Sequence, residues 1–229
     1  MAGKADTRQK RRAPLTRERV LRAAITLADE GGIEALSMRR LARKLGVEAM
    51  SLYNHVTNKG DLVEAMTDFV VDEIDLPSTA EDWETAIRKC AISAHEAFLR
   101  HPWACSLVMA PGSFRIAGNP RLRYMEWLLG GLRDAGFSAE LTYRGYHAVD
   151  SHILGFTMWE LGHSAGGKDV TGGQSPADFA ARILPELRSA GFPNLAEHAE
   201  QHMAPPSRDG ESEFEFGLNL ILDGLKKAR

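Results

Sequence analysis

The chain reads as all-α: an N-terminal three-helix helix-turn-helix domain followed by a C-terminal helical bundle. Three observations predict this. No stretch alternates polar and apolar residues with the period of two that a half-buried strand needs. Apolar residues recur instead three and four apart through most of the 229 residues. Residues 33–59, IEALSMRRLARKLGVEAMSLYNHVTNK, hold two short amphipathic segments around one glycine, the pattern of two helices crossing at a tight turn.

Element by element, residues 16–30 place Val20, Leu21, Ala24, Ile25, Leu27 and Ala28 at helical spacing, so a first helix can cover the pair that follows. Ser37 is an N-cap residue type before MRRLARKL. In that second helix Leu41, Ala42 and Leu45 form one apolar stripe, leaving Arg39, Arg40, Arg43 and Lys44 for solvent or phosphate. Gly46 tolerates the positive φ of a turn. Beyond it, Val47, Leu52 and Val56 point inward, and Glu48, Ala49, Met50, Ser51, Tyr53, Asn54 and His55 face outward. Hydroxyl, amide and methyl groups on a short, weakly charged helix suit base-edge reading, with cations around it to hold phosphates. Asn58, three residues before Asp61, caps a further helix over 62–75.

The rest continues as helices divided by Gly, Pro and Ser. A helix over 80–100 carries Trp83, Ile87, Ala91, Ala94 and Phe98; Pro102 opens the next, and 110–118 reads as a loop. Asn119-Pro120 starts a helix that stops at Gly136. Residues 138–163 form the longest helix, roughly 25 residues and about 37 Å at 1.5 Å per residue. SAGGKDVTGGQS, 164–175, reads as a mobile loop. Shorter helices run to Ala204, 205–210 is a connection, and 211–227 forms a last helix with Phe214, Leu218, Ile221, Leu222 and Leu225 along one stripe.

Composition narrows the function classes. The net charge of −3 hides an asymmetry: residues 1–60 hold 13 Lys and Arg against 6 Asp and Glu, and the remainder holds 15 against 25. A basic head on an acidic body is the footprint of one domain that meets phosphate and one that does not. Lys10, Arg11 and Arg12 lie in an arm, residues 1–14, that either adds DNA contacts or is a solvated tail. No apolar run approaches the roughly 18 residues of a membrane span, so a cytoplasmic protein without membrane partners is expected. Cys90 and Cys105 are the only cysteines, too few for a disulfide framework or thiolate zinc site. His198 and His202, four apart, have no third ligand nearby in sequence, so no metal and no cofactor is expected. With no phosphate-binding glycine loop, GxSxG or HExxH, the chain carries no enzyme signature.

Residues 15–66, with the core ARKLGV…SLYNHVTNK, closely resemble the DNA-binding domain of the TetR/AcrR family, within its tetracycline-repressor branch. A weaker resemblance continues through DAGFS at 134–138. It implies a helix-turn-helix domain over 15–61 and a ligand-binding and dimerisation domain over 62–229. The implied function is a ligand-responsive repressor that binds a palindromic double-stranded DNA operator as a homodimer. The long helix 138–163 and the last helix 211–227 would form the dimer interface. The family's DNA contacts fall on Met38, Arg39, Ala49, Met50, Ser51, Tyr53, Asn54, His55 and Lys59, with Arg39 best placed for guanine. Tyr53 could also be core and Lys59 merely solvated. Ala49 and Met50 replace positions that are often polar, which implies contact with thymine methyls and a different operator.

The resemblance also places ligand-pocket positions on Cys90, Ala94, Val108, Leu128, Ser151 and Trp159. Val108 stands where the tetracycline repressors supply a magnesium-binding histidine, so a magnesium–tetracycline inducer is not expected. A small apolar or aromatic effector fits better, with His95, His147, Ser151 or His152 as polar contacts or as ordinary structural side chains. A helical adaptor that has lost DNA binding is the alternative, and the basic head with Arg39 and Lys59 argues against it.

Overall fold

In a computed structural model the structure describes residues 14–78, 81–109, 116, 118–170, 175–203 and 211–229, with side chains omitted for 164–170, 176 and 202. The basic arm, most of the 110–118 segment, the 205–210 connection and the His202 side chain lie outside the described residues. Among the described residues there are eleven α-helices and no strand.

Three helices make the head. Helix α1, Arg17–Gly31, starts where Thr16 accepts the Arg19 N–H and buries Val20, Ala24, Ile25, Leu27 and Ala28. Helix α2, Met38–Leu45, is capped by Ser37 and buries the predicted stripe of Leu41, Ala42 and Leu45. Helix α3, Ala49–Leu52, is a single turn, prolonged by turn hydrogen bonds from the N–H groups of His55 and Val56 to the Leu52 carbonyl. Burying each leucine in this small core is worth about 1.5–3 kcal/mol.

Helix α4, Lys59–Asp72, joins head to body. It starts earlier than the predicted 62–75 because Asn58 caps it directly, its side chain accepting the Asp61 N–H while Asp61 accepts the Thr57 N–H, and it ends at Asp72. The body comprises α5 (Trp83–Arg100), α6 (Pro102–Val108), α7 (Pro120–Asp134), α8 (Ala139–Val170), α9 (Pro176–Ser189), α10 (Pro193–Met203) and α11 (Glu213–Ala228). Helix α8 packs against α5, α7 and α11, whereas α9 packs chiefly against α10.

One boundary overturns the sequence reading. Helix α8 runs through Ser164, Ala165, Gly166 and Gly167 to Val170, so the loop expected at 164–175 is helical over its first seven residues. Glycine costs about 1 kcal/mol in a helix interior, but extending a formed helix adds a backbone hydrogen bond per residue without a new nucleation cost.

Most of the buried apolar side chains form one contiguous core from Val20 to Leu225. Where α11 crosses α8, a Cβ on Gly217 would sit 2.5 Å from His152 Cε1, so the close approach depends on glycine. The same two helices leave Tyr143, Met158 and Trp159 of α8 and Phe216 and Leu220 of α11 exposed.

Candidate DNA interface and effector cavity

The candidate reading surface is built by the turn between α2 and α3. Gly46 takes φ 68° and ψ 38°, a left-handed cap whose N–H bonds to the Arg43 carbonyl, and the Val47 N–H returns to Ala42. That geometry turns the chain so that Leu52 and Val56 enter the core while Met50 and Tyr53 stay outside, 76% and 46% exposed. Tyr53 is therefore a surface residue. Arg39, Asn54 and Lys59 are exposed as well, with Ser51 and His55 half-buried at the edge of the same surface. Met38 and Ala49 are half-buried against the core, so Ala49 is less outward-facing than predicted, and Val47 is only partly buried. Lys44 is held to Glu30 at 3.0 Å.

The body has a cavity of about 510 Å³ between α4, α5, α6, α7 and α8, open to solvent on the side where Met109, His147, Ser151 and Met158 are exposed. Its wall is mainly Val71, Ile74, Phe98, Val108, Met109, Met125, Leu154 and Met158. The polar groups on it are Arg121, Tyr124, Tyr146, His147, Asp150 and Ser151. Tyr124 donates to Asp150 Oδ1 at 3.1 Å. Burial pushes the Asp150 carboxyl above its ordinary range, against the opposing effects of Tyr124, His147 and Tyr146. Burial likewise raises the Tyr146 phenol to about 12 and the Tyr124 phenol well above its usual range, so both stay protonated donors at neutral pH.

Of the nine ligand-site residues named from sequence, Val108, His147 and Ser151 lie on this wall. The other six lie elsewhere. Cys90, Ala94 and Leu128 are buried core residues, and desolvation raises the Cys90 thiol to about 12. His95 is buried against Phe214, 4.0 Å between ring centroids, with Nδ1 2.7 Å from Thr157 Oγ1 and Nε2 3.2 Å from Glu160. Desolvation first, and His152 as a smaller contribution, push the His95 imidazole below its ordinary range against the opposing pull of Glu160. His152 Nε2 lies 2.9 Å from the Phe214 carbonyl, and Trp159 is 45% exposed beside Phe156 and His163.

The sequence reading missed Arg121, Tyr124, Tyr146 and Asp150. A usable signal existed for Asp150: it stands three residues after His147, one helical step along the same face, as a lone carboxylate among small and apolar residues.

Head and cavity are physically joined. Asp29 of α1 accepts from Trp103 Nε1 at 2.7 Å and lies 2.8 Å from His101 Nδ1. Glu73, just past α4, reaches Arg100 at 3.2 Å and His101 Nε2 at 3.5 Å. On the other side of α4, Asp68 faces Arg121 of α7, and Asp72 pairs with Arg123.

A basic head with two crossing helices, joined to a helical body that holds a cavity, defines the helix-turn-helix class of transcriptional regulators. Residues 20–66 match the family model described as bacterial regulatory proteins, tetR family, and residues 76–229 match that of the tetracyclin repressor-like C-terminal domain. The chain belongs to the TetR family, whose members are non-enzymatic DNA-binding regulators that act as dimers. It is 32% identical over 218 residues to the HTH-type transcriptional repressor DrrR1 of Streptomyces coeruleorubidus, covering 93% of this chain and 77% of that protein. The structure of the TetR family protein ActR of Streptomyces coelicolor in complex with actinorhodin superposes with a TM-score of 0.71 at 28% identity, covering 94% of this chain and 99% of that one. BioQ with its natural double-stranded DNA operator gives 0.59 at 26% identity, covering 93% and 99%. Among the described residues no helix is long and apolar enough to cross a membrane.

Proposed function

We propose that the protein is a cytoplasmic repressor that binds a palindromic operator as a homodimer and is released from it by a small, mainly apolar or aromatic effector. The carrying observation is the pairing of an exposed reading surface on α2 and α3 with an apolar cavity whose wall includes α4, the helix that bears the head. Residues 15–61 act as the DNA-binding domain and 62–229 as the effector and dimerisation domain, with α4 starting inside the boundary.

On DNA, Arg39 donates to guanine, Met50 and Ala49 meet thymine methyls, and Met38 and Asn54 flank them. Ser51, Tyr53, His55 and Lys59 anchor phosphates. Dimerisation uses the exposed apolar faces of α8 and α11, which would otherwise leave Tyr143, Trp159, Phe216 and Leu220 in water. A two-fold dimer sets its reading helices about 34–36 Å apart, one turn of DNA. The effector enters the cavity beside Val108, His147 and Ser151, and acts only through unequal affinity for DNA-competent and released states. BioQ's structure with its operator and ActR's with actinorhodin support the two halves of this reading.

Titration of the purified protein onto labelled DNA from upstream of its own gene tests it. Binding should weaken steeply with salt as phosphate counterions are released. Indifference to that DNA at low ionic strength, together with a monomer in solution, would favour a helical adaptor instead.

A further inference from the structure

The polar groups on the cavity wall are unequally served. At one end the Asp150 carboxyl accepts from the Tyr124 hydroxyl, with Tyr146 on the same wall. Arg121 differs. Its side chain is only 17% exposed, and its Nε is buried without a hydrogen-bond acceptor among the described residues. Asp68 Oδ1 lies 3.3 Å from that Nε, close enough for charge attraction but not aligned to accept the proton. A guanidinium presents five N–H donors in a planar fork that matches a carboxylate with two parallel bonds. One N–H of that fork left without an acceptor in the interior is costly, and an incoming acidic oxygen toward which the guanidinium turns relieves that cost.

Resting on the reading of the cavity as the effector site, we propose that Arg121 is the receptor for an acidic oxygen and that the effector class is an aromatic carboxylate. The aromatic body fills the space between Phe98, Val108, Met125 and Leu154, and the carboxylate takes the Arg121 fork. Arg121 then serves two carboxylates, the ligand's and that of Asp68. Because Asp68 lies on α4, the ligand weakens a tie between α7 and the helix that carries the reading head. Recognition and release thus share one guanidinium.

The test uses the full-length dimer and matched pairs of rigid probes, 2-naphthoate with 2-naphthamide and anthracene-9-carboxylate with its amide, measured by calorimetry. In at least one pair the acid should bind about 10-fold more tightly than the amide, the size of one charged hydrogen-bonded contact. Arg121→Gln should erase that preference while leaving amide affinity unchanged, and Arg121→Lys, which keeps charge but loses the fork, should fall between. Asp68→Asn should strengthen binding of the acid several-fold and leave the amide as it was, a result that a merely structural arginine does not produce. Amides that match or surpass their acids, an acid preference that survives Arg121→Gln, or no binding by any probe overturns the proposal. The underlying reading fails separately: if Ser151→Trp, which sets a large ring at the open side of the cavity, leaves binding of both members of a pair untouched, the cavity itself is not the site.

Discussion

The head and the body solve opposite packing problems. The head surrounds Leu41 and Leu52, both fully buried, with side chains drawn from α1 to α4 and keeps its chemistry on the outer surface. The body holds about 510 Å³ of space and keeps its chemistry inside, with Asp150, Tyr124 and Arg121 facing that space. A reading surface needs rigid support and free access, while a ligand site needs vacancy and low dielectric. The difference shows where each half can bear change: the head through its outer residues, the body through the residues that border its void.

The largest effect that bears on this contrast is in the head core. Leu52→Ala should cost about 2–5 kcal/mol, the range for a buried leucine whose surroundings cannot collapse, and should abolish operator binding. Leu154→Ala at the cavity wall should cost less, since the leucine already borders space. Urea denaturation of both variants checks this; equal losses would break the contrast.

Next in size is Arg39→Ala, expected to weaken operator binding by roughly 1–3 kcal/mol per half-site while leaving the dimer intact, as read by fluorescence anisotropy and by sedimentation. A smaller effect is expected when the open side of the void is obstructed. Ser151→Trp should change unfolding stability by no more than about 1 kcal/mol, as usual away from a packed core, and leave basal repression unaltered while abolishing the effector response. A bulky residue at Cys90 would serve badly for this purpose, because Cys90 is packed in the core rather than on the cavity wall.

The smallest effect is a pH dependence. Burial raises the Asp150 carboxyl above its ordinary value of 3.8. Below 3.8 the group is neutral in both folded and unfolded chains, and its burial adds no pH-dependent penalty. As pH rises from there, the unfolded chain loses the proton first, and stability falls until the folded-state value is passed. Asp150→Asn removes this loss, so thermal melts of variant and parent should coincide near pH 3.5 and separate in favour of the variant toward pH 7. Parallel melting curves across that interval would contradict the assignment.

The head was legible in sequence because its determinants are local. Ser37, the Leu41 and Leu45 stripe, Gly46 and the Asn58 cap all act within a few residues, and each holds the position the spacing predicted. The cavity was not legible to the same degree. Its wall combines Val71, Phe98, Arg121, Tyr124 and Asp150 from four helices, and periodicity reports which face of a helix is apolar without reporting which faces fail to meet. His95 and His152 illustrate the loss: each sits on an inward face, yet both are spent on Phe214 between α5, α8 and α11. Gly166 and Gly167 misled in the other direction, because their breaking tendency was outweighed by the long helix preceding them.

In the proposed mechanism, paired copies of the α2 and α3 surface read DNA while the cavity sets whether they fit. Nuclease footprinting of the wild-type dimer and Arg39→Ala on the DNA upstream of the gene, at low salt, tests it most directly. Protection with two-fold symmetry, with half-sites centred about one helical turn apart, is expected for the wild type, and its loss in the variant. An unsymmetrical footprint, or one unchanged by the substitution, would contradict it.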